Sequence, residues 1–275
     1  MNAPLLEWRQ VRAIAAKEFR DRIRNRWVLV AALLFSVFAL VIAFLGSAES
    51  GAVGFRGIEL TIASLVSLAI YLLPLIALVL GYDAIVGERE RGSLDLLLSL
   101  PVTRLELLLG KYLGLAAALA SSTLAGFGLA GALLLSRGDT AGITHYAGFM
   151  ASAILMGMAF LSMAVAVSVS ATERTRASGL AIGLWFFFVL VFDLLLLGLL
   201  VAVGGDGPGA LLPYLLLLNP ADVFRVMNIF GLEELRNAYG LATVFPPALA
   251  SPWLLGGIML AWITAPLAVA LWRFR

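Results

Sequence analysis

The chain of 275 residues has no cysteine and a single histidine, His145. Without cysteine there is no disulfide scaffold, thiolate metal site, iron–sulfur cluster or cysteine nucleophile. One imidazole excludes a multi-histidine metal site within one chain. Charge is scarce as well: Asp, Glu, Lys and Arg make up 13% of the residues, where a soluble domain carries about 25%. So few polar groups cannot cover a body in water. Apolar residues take their place, at 62% of the chain with a mean hydropathy of +1.01, and the sequence reads as an all-α integral membrane protein. The formal net charge of +2 does not point to nucleic acid, because Lys and Arg in a membrane chain usually set orientation.

A helix needs roughly 20 mainly apolar residues to cross a bilayer. Six such stretches occur, at 27–46, 61–82, 112–135, 146–171, 178–203 and 252–272. The first is too long for the apolar core of a signal peptide and is expected to be kept as a span. Basic residues crowd one side: Arg9, Arg12, Lys17, Arg20, Arg22, Arg24 and Arg26 before the first span, Arg89, Arg91, Arg104 and Lys111 after the second, Arg174 and Arg176 after the fourth, and Arg273 and Arg275 at the end. Only Arg56, Arg137, Arg225 and Arg236 fall on the other side. Positive residues stay inside, so both termini are expected in the cytoplasm, which requires an even number of spans. Residues 27–275 thus read as a six-span transmembrane domain. In residues 1–26, Trp8, Val11, Ala15, Phe19 and Ile23 recur at three- and four-residue steps among the basic residues, the pattern of a helix lying in the membrane interface.

Several features lie within the spans. Gly110, Gly114, Ala118, Ser122, Gly126 and Ala130 share one face of the third span, a groove that admits another helix closely, from this chain or from a second copy. Pro74 and Pro266 each remove a backbone donor inside a span and are expected to kink it. Asp193 is an ionisable residue deep in the fifth span, which costs about 2.5–3.5 kcal/mol on insertion scales. It is either a polar site for substrate or proton handling or a hydrogen-bonded structural Asp. Met150, Met156, Met158 and Met163 lie on two faces of the fourth span rather than in one stripe, which favours packing over soft-metal handling. No metal site is expected, and His145 near the outer end of that span reads as structural.

Residues 81–104 carry the strongest signal. Ser93 is expected to cap a short helix over 94–100, with Asp95 in its first turn and Pro101 ending it. Thr103 and Glu106 then form a capping box that opens the helix of the third span. Leu94, Leu97, Leu98 and Leu100, beside the alternating Glu88, Arg89, Glu90 and Arg91, suggest a surface for docking a soluble partner. On the opposite side, Asn219, Pro220 and Asp222 read as cap, first-turn proline and first-turn acid of a helix running through Phe230 to a stop at Gly231. Val223, Phe224, Met227 and Phe230 make one side of it apolar. It either closes an outer gate as a surface or re-entrant helix or offers Asn219, Pro220, Asp222, Phe224 and Arg225 to an external partner.

The run Gly87-Glu88-Arg89-Glu90-Arg91-Gly92-Ser93-Leu94-Asp95, followed by Leu97-Leu98 and Pro101-Val102-Thr103-Arg104, resembles the stretch after the second span in ABC-2-type permeases, as does Ala16-Lys17-Glu18-Phe19-Arg20. The resemblance implies a bacterial inner-membrane permease, paired with a second copy of itself among membrane lipid. It also implies two cytoplasmic ABC ATPase subunits that dock on 87–101 and on the 172–177 loop with Glu173 and Arg174. The chain has no Gly-x-x-x-x-Gly-Lys-Ser/Thr phosphate loop, so ATP and Mg belong to those subunits and no cofactor is expected on this one. Leu218-Asn219-Pro220-Ala221-Asp222-Val223-Phe224-Arg225 resembles the branch of the family that serves nitrous oxide reductase maturation, which implies a periplasmic copper-handling maturation protein as a further partner. Other cargo, such as a drug, lipid or ion, and a passive scaffold remain the alternatives. An intramembrane enzyme is not expected, since the chain lacks a second membrane carboxylate for an aspartyl dyad and a His-Glu-x-x-His motif. No catalytic residue is assigned.

Overall fold

The computed structural model describes residues 6–24, 26–45, 58–135, 140–203, 211–229, 246 and 248–274, and helix is the regular structure formed among them. In chain order these are α1 (Trp8–Ile23), α2 (Arg26–Leu45), α3 (Ile58–Gly81), α4 (Val86–Glu90), α5 (Ser93–Ser99), α6 (Arg104–Leu135), α7 (Thr140–Ser170) and α8 (Arg174–Phe186). A π-helical turn (Phe187–Val191) follows, then α9 (Phe192–Val203), α10 (Leu212–Leu216), α11 (Pro220–Ile229) and α12 (Pro252–Arg273). Among the described residues, five helical stretches are long and apolar enough to cross a membrane: Thr61–Glu90, Arg104–Ala132, Gly142–Ser170, Arg174–Ala202 and Pro252–Arg273. Each overlaps one of the second to sixth expected spans, with bounds that differ by up to eight residues. The first expected span falls on α2, an apolar helix of 20 residues, with Gly46 outside the described residues.

Helix α7 is the axis of the bundle and packs against α3, α6, α11 and α12. Its Phe149, Ala153, Met156, Ala159 and Phe160 are fully buried. Met156 and Met163 sit in this core, while Met150 and Met158 pack against its edge, as expected of methionines that fill gaps. His145 is exposed near the start of α7. It borders a cavity of about 210 Å³ together with Ser152, Met227 and Asn228.

Helix α6 starts at Arg104, well before the apolar stretch, because its first turn is capped as the sequence predicts. The Glu106 N–H donates to Thr103 Oγ1 (3.2 Å) and the Thr103 N–H donates to Glu106 Oε2 (2.7 Å). The other Glu106 oxygen accepts the Glu7 N–H at 2.6 Å, so one carboxylate also holds the start of α1. Two turns further on, the small-residue groove receives α1. A Cβ on Gly110 would lie 2.7 Å from Ile14 Cβ, and one on Gly114 would lie 2.6 Å from the Ala15 carbonyl and 3.1 Å from the Phe19 nitrogen. The partner at this end of the groove is therefore a helix of the same chain. Helix α2 packs farther along α6, where Phe35 meets Phe127 with ring centroids 4.9 Å apart. Of the expected stripe of α1, Val11 is buried and Ala15, Phe19 and Ile23 are half-buried, while Trp8 is 59% exposed; the charged Glu18 is buried beside them.

Proline and the π turn leave carbonyls that side chains satisfy. Helix α12 runs through Pro266, which cannot donate to the Trp262 carbonyl four residues earlier. The Ser162 hydroxyl, which also bonds the Ala159 carbonyl of its own helix (2.7 Å), lies 3.1 Å from that carbonyl. The expected fifth span is split by the π turn, where the Phe188 carbonyl accepts the Asn219 side-chain N–H at 2.8 Å. Helix α11 is opened by Asn219, whose Oδ1 accepts the Ala221 N–H at 3.0 Å, with Pro220 and Asp222 in its first turn. It ends at Ile229; Phe230 and Gly231 lie outside the described residues.

Because backbone rather than a flexible side chain opposes a Cβ at Gly114, Gly114→Val should separate α1 from α6 and cost about 1–3 kcal/mol. This would be read as a lower unfolding temperature of the detergent-solubilised protein. Gly128→Ala, where a Cβ meets nothing within 4 Å, should not lower that temperature, since alanine is the better helix former.

Candidate functional site

The 81–104 segment folds as two short helices joined by a glycine turn. Gly92 has φ +71°, a left-handed conformation that suits glycine. It occupies the cap position of α5, so Ser93 is the first helical residue rather than the expected cap. The Ser93 hydroxyl turns back instead to the Glu88 carbonyl (3.2 Å) and carboxylate. Asp95 lies in the first turn of α5, as expected, but the helix ends at Ser99, one residue short of the expected 94–100, with Leu100 extended before Pro101.

Three of the four alternating charges, Arg89, Glu90 and Arg91, are exposed, and Arg89 and Glu90 are at the same time bonded to neighbouring helices. Arg89 donates to the Ala171 (2.6 Å) and Val169 (3.3 Å) carbonyls, capping the carboxyl end of α7, where helical carbonyls lack partners. Glu90 Oε1 accepts the Arg174 N–H at 2.6 Å, one of the unpaired donors that open α8. The Ser168 hydroxyl oxygen accepts the Ile85 and Val86 N–H groups at 2.9 and 3.1 Å. Glu88 reaches inward to Lys111. Arg91 is exposed.

Lys111 is the centre of this arrangement. It is 4% exposed, and its ammonium meets Glu88 Oε1 at 3.1 Å and Glu18 Oε2 at 3.2 Å. Glu18 also pairs with Arg22 (3.0 Å), Arg22 with Asp83 (3.2 Å), and Asp83 with Arg174 (3.0 Å). Burial works against the Arg22 guanidinium, but the Asp83 and Glu18 carboxylates outweigh it and push its pKa above the ordinary arginine value. The chain Glu88–Lys111–Glu18–Arg22–Asp83–Arg174 thus ties α1, α4, α6, α8 and the 82–85 turn around a polar cavity of about 390 Å³. Apart from Glu88 and Arg174, its members carried other readings in the sequence: Lys111 and Arg22 as orientation charges and Glu18 as part of the Ala16–Arg20 run, while Asp83 carried none. A signal was present in Lys111, a lone cation in a helix that is otherwise apolar from there on.

The leucines of α5 divide between two sides. Leu94 is buried and Leu97 and Leu98 pack against the core, so three of the four expected docking leucines face inward. Leu96 at 71% and Leu100 at 54% exposure form an outward apolar knob, beside Asp95 and Pro101. Leu96 was missed because its outward direction depends on which side of α5 meets the bundle. Glu173 is exposed one turn away in the sequence from Ala177, at the start of α8.

A second polar cluster lies at the other end of the bundle. Arg225 pairs with Asp193 of α9 at 3.1 Å and with Asp222 in its own helix. The Asn219 amide donates to Asp222 Oδ2 at 2.9 Å as well as to the Phe188 carbonyl. Asn219, Pro220, Asp222 and Phe224 are buried among α3, α7 and α12. Arg225 is half-buried, so of the residues expected to offer a surface to an external partner it alone is reachable in the single chain. Asp193 is half-buried and ion-paired.

A helical membrane bundle whose charges are gathered at one end, around a braced loop carrying an apolar knob, has the form of a transporter's membrane subunit. Residues 12–275 match the family described as ABC-2 family transporter protein, and the chain belongs to that family. It is 48% identical over 273 residues to the "Probable ABC transporter permease protein NosY" of Stutzerimonas stutzeri, covering 97% of this chain and 98% of that one. It is 46% identical over 268 residues to the protein of the same name from Pseudomonas aeruginosa, covering 95% and 96%. It is the multi-pass, non-catalytic permease subunit of an ABC transporter, which works with ATPase partner subunits.

Removing one member of a buried charge pair leaves the others uncompensated, at about 3–5 kcal/mol. Lys111→Met should therefore lower the unfolding temperature of the purified protein sharply. Glu18→Gln added to Lys111→Met should cost much less than Glu18→Gln alone, because residues in one network couple.

Proposed function

We propose that this chain is one six-span half of a homodimeric inner-membrane permease, with α2 as the first span, α1 in the membrane interface and both termini cytoplasmic. The basic end of the bundle is then the ATPase-facing end. Two cytoplasmic ATPase subunits dock on residues 87–101, assisted by Glu173 and Arg174. The observation that carries this reading is the exposed pair Leu96 and Leu100 on a helix whose base is braced by ion pairs to three other helices. An apolar knob gives a partner something to bury, and a stiff base lets its displacement reach the spans. Gly87, Glu88, Arg89, Glu90, Arg91, Gly92 and Ser93 are the bracing half of the coupling segment. Leu96, Leu100, Asp95 and Pro101 are its contact half, with Leu94, Leu97 and Leu98 anchoring it to the core.

We further infer that the transporter serves nitrous oxide reductase maturation, acting with a periplasmic copper-handling protein in building the copper–sulfur site. Support comes from nearly full-length identity to two proteins named NosY. No cofactor of this chain is invoked.

The two halves of the segment separate in experiment. Leu96→Asp should leave the unfolding temperature unchanged but reduce co-purification of the ATPase subunit at least tenfold. Reversing the charges of Glu88, Arg89, Glu90 and Arg91 should lose both stability and coupling; full transport-linked activity after that reversal would sink the assignment. In cells, loss of this chain should yield nitrous oxide reductase lacking its copper–sulfur site, measured by copper content and activity. Normal reductase in its absence would remove the maturation role.

A further inference from the structure

Helix α11 is held to the split fifth helix by a few polar contacts. Arg225 lies between Asp222 of its own helix and Asp193 of α9, and Asn219 links Asp222 to the carbonyl of Phe188 in the π turn. The stretch Arg174–Ala202 is the least buried of the long helices, and Leu194, Leu195, Leu197 and Val201 are more than half exposed. Few apolar contacts therefore hold its distal half to the rest of the chain, and the polar contacts at its break are its tie to α11. A π turn inside a helix is a frequent mark of a functional site.

The charges of this tie do not balance. Two carboxylates share one guanidinium, and one of them, Asp222, is 1% exposed. Ionised, the group carries a net negative charge against a wall of buried side chains. With Asp222 protonated the group is neutral overall: its hydroxyl donates to the Asp193 carboxylate and its other oxygen still accepts from Arg225 or Asn219. We propose that Asp193, Asp222 and Arg225 form a proton-operated clasp between α11 and the fifth helix, closed when Asp222 is protonated and loosened when it is ionised.

Burial pushes the Asp222 carboxyl up to about 7. Arg225 and Asn219 pull the other way, and the Asp193 carboxylate adds to the rise. A carboxyl raised in the packed state binds its proton more tightly there than when released. The clasp is therefore fully stabilised at acid pH and loses that stabilisation as pH rises through about 7. Among the described side chains of the other helices packed on α11, His145 of α7 borders the cavity beside Met227 and Asn228, Tyr71 and Tyr146 are phenols, and Arg273 lies at the far end of α12.

The chain has no cysteine, so one introduced thiol reports on the clasp alone. Val223→Cys places it at a fully buried position of α11, and Tyr214→Cys, 55% exposed, supplies the reference. In the full transporter complex, the rate of labelling at 223 by a membrane-impermeant maleimide, divided by that at 214 to cancel thiol ionisation, should rise several-fold between pH 6 and pH 8. Asp222→Asn should hold the ratio low and flat, and Asp193→Asn should move the midpoint to lower pH. A ratio independent of pH in the parent would overturn the clasp, as would an unchanged pH profile in either Asp variant. The readout does not depend on which partner docks on residues 87–101.

Discussion

The buried ammonium of Lys111, held between Glu18 and Glu88, is the contact on which the basic end of the molecule depends. A single cation buried in a helix that leads into an apolar span is costly unless its hydrogen bonds are filled. Filling them requires a carboxylate from the amino-terminal helix and another from the segment after α3. Once these meet, α1 lies in the groove of Gly110 and Gly114, where no side chain keeps the backbones apart. The turn at Gly92 brings Ser93 back onto Glu88, and Arg22 carries the pairing on to Asp83 and Arg174. Close packing and charge pairing thus act together: the glycines permit the approach, and the ion pairs set which residues face each other.

This geometry changes the meaning of the charge-rich motif. In the sequence, Glu88 to Arg91 reads as an exposed patch of alternating sign. In the fold, Arg89 caps α7, Glu90 caps α8 and Glu88 holds Lys111. The motif is a joint between helices that still leaves Arg89, Glu90 and Arg91 exposed, near the exposed apolar pair Leu96 and Leu100. The same division recurs at the other end, where Asn219, Asp222 and Arg225 connect α11 to a broken helix. Each end of the bundle thus has a polar tie between a short helix and the fifth helix, through Arg174 at one end and Asp193 at the other. The Asp83–Arg174 contact is nearer to solvent than the Lys111 pairs and more open to screening.

Much of the architecture was legible because it rests on local rules. Twenty apolar residues make a span whatever they pack against, Thr103 and Glu106 close a capping box within one turn, and Asn219 and Pro220 open a helix from adjacent positions. The small residues of α6 announced a close neighbour by their four-residue spacing. Which helix would fill the groove was open, because the spacing describes only one side of the contact.

What the sequence determined alone is therefore the helical class, the position of the long apolar helices, their caps, and the concentration of charge that marks one end. The tertiary structure decided the partners: α1 rather than a second copy against Gly110 and Gly114, Leu96 rather than Leu94 facing outward, Asn219 and Asp222 inside rather than on a surface, and Lys111 at the centre of the ion pairs. The reason is range. Periodicity and capping act within a turn or two of helix, whereas Lys111 meets Glu18 across 93 residues of chain and Arg174 meets Asp83 across 91, and such pairs exist only after the helices have packed.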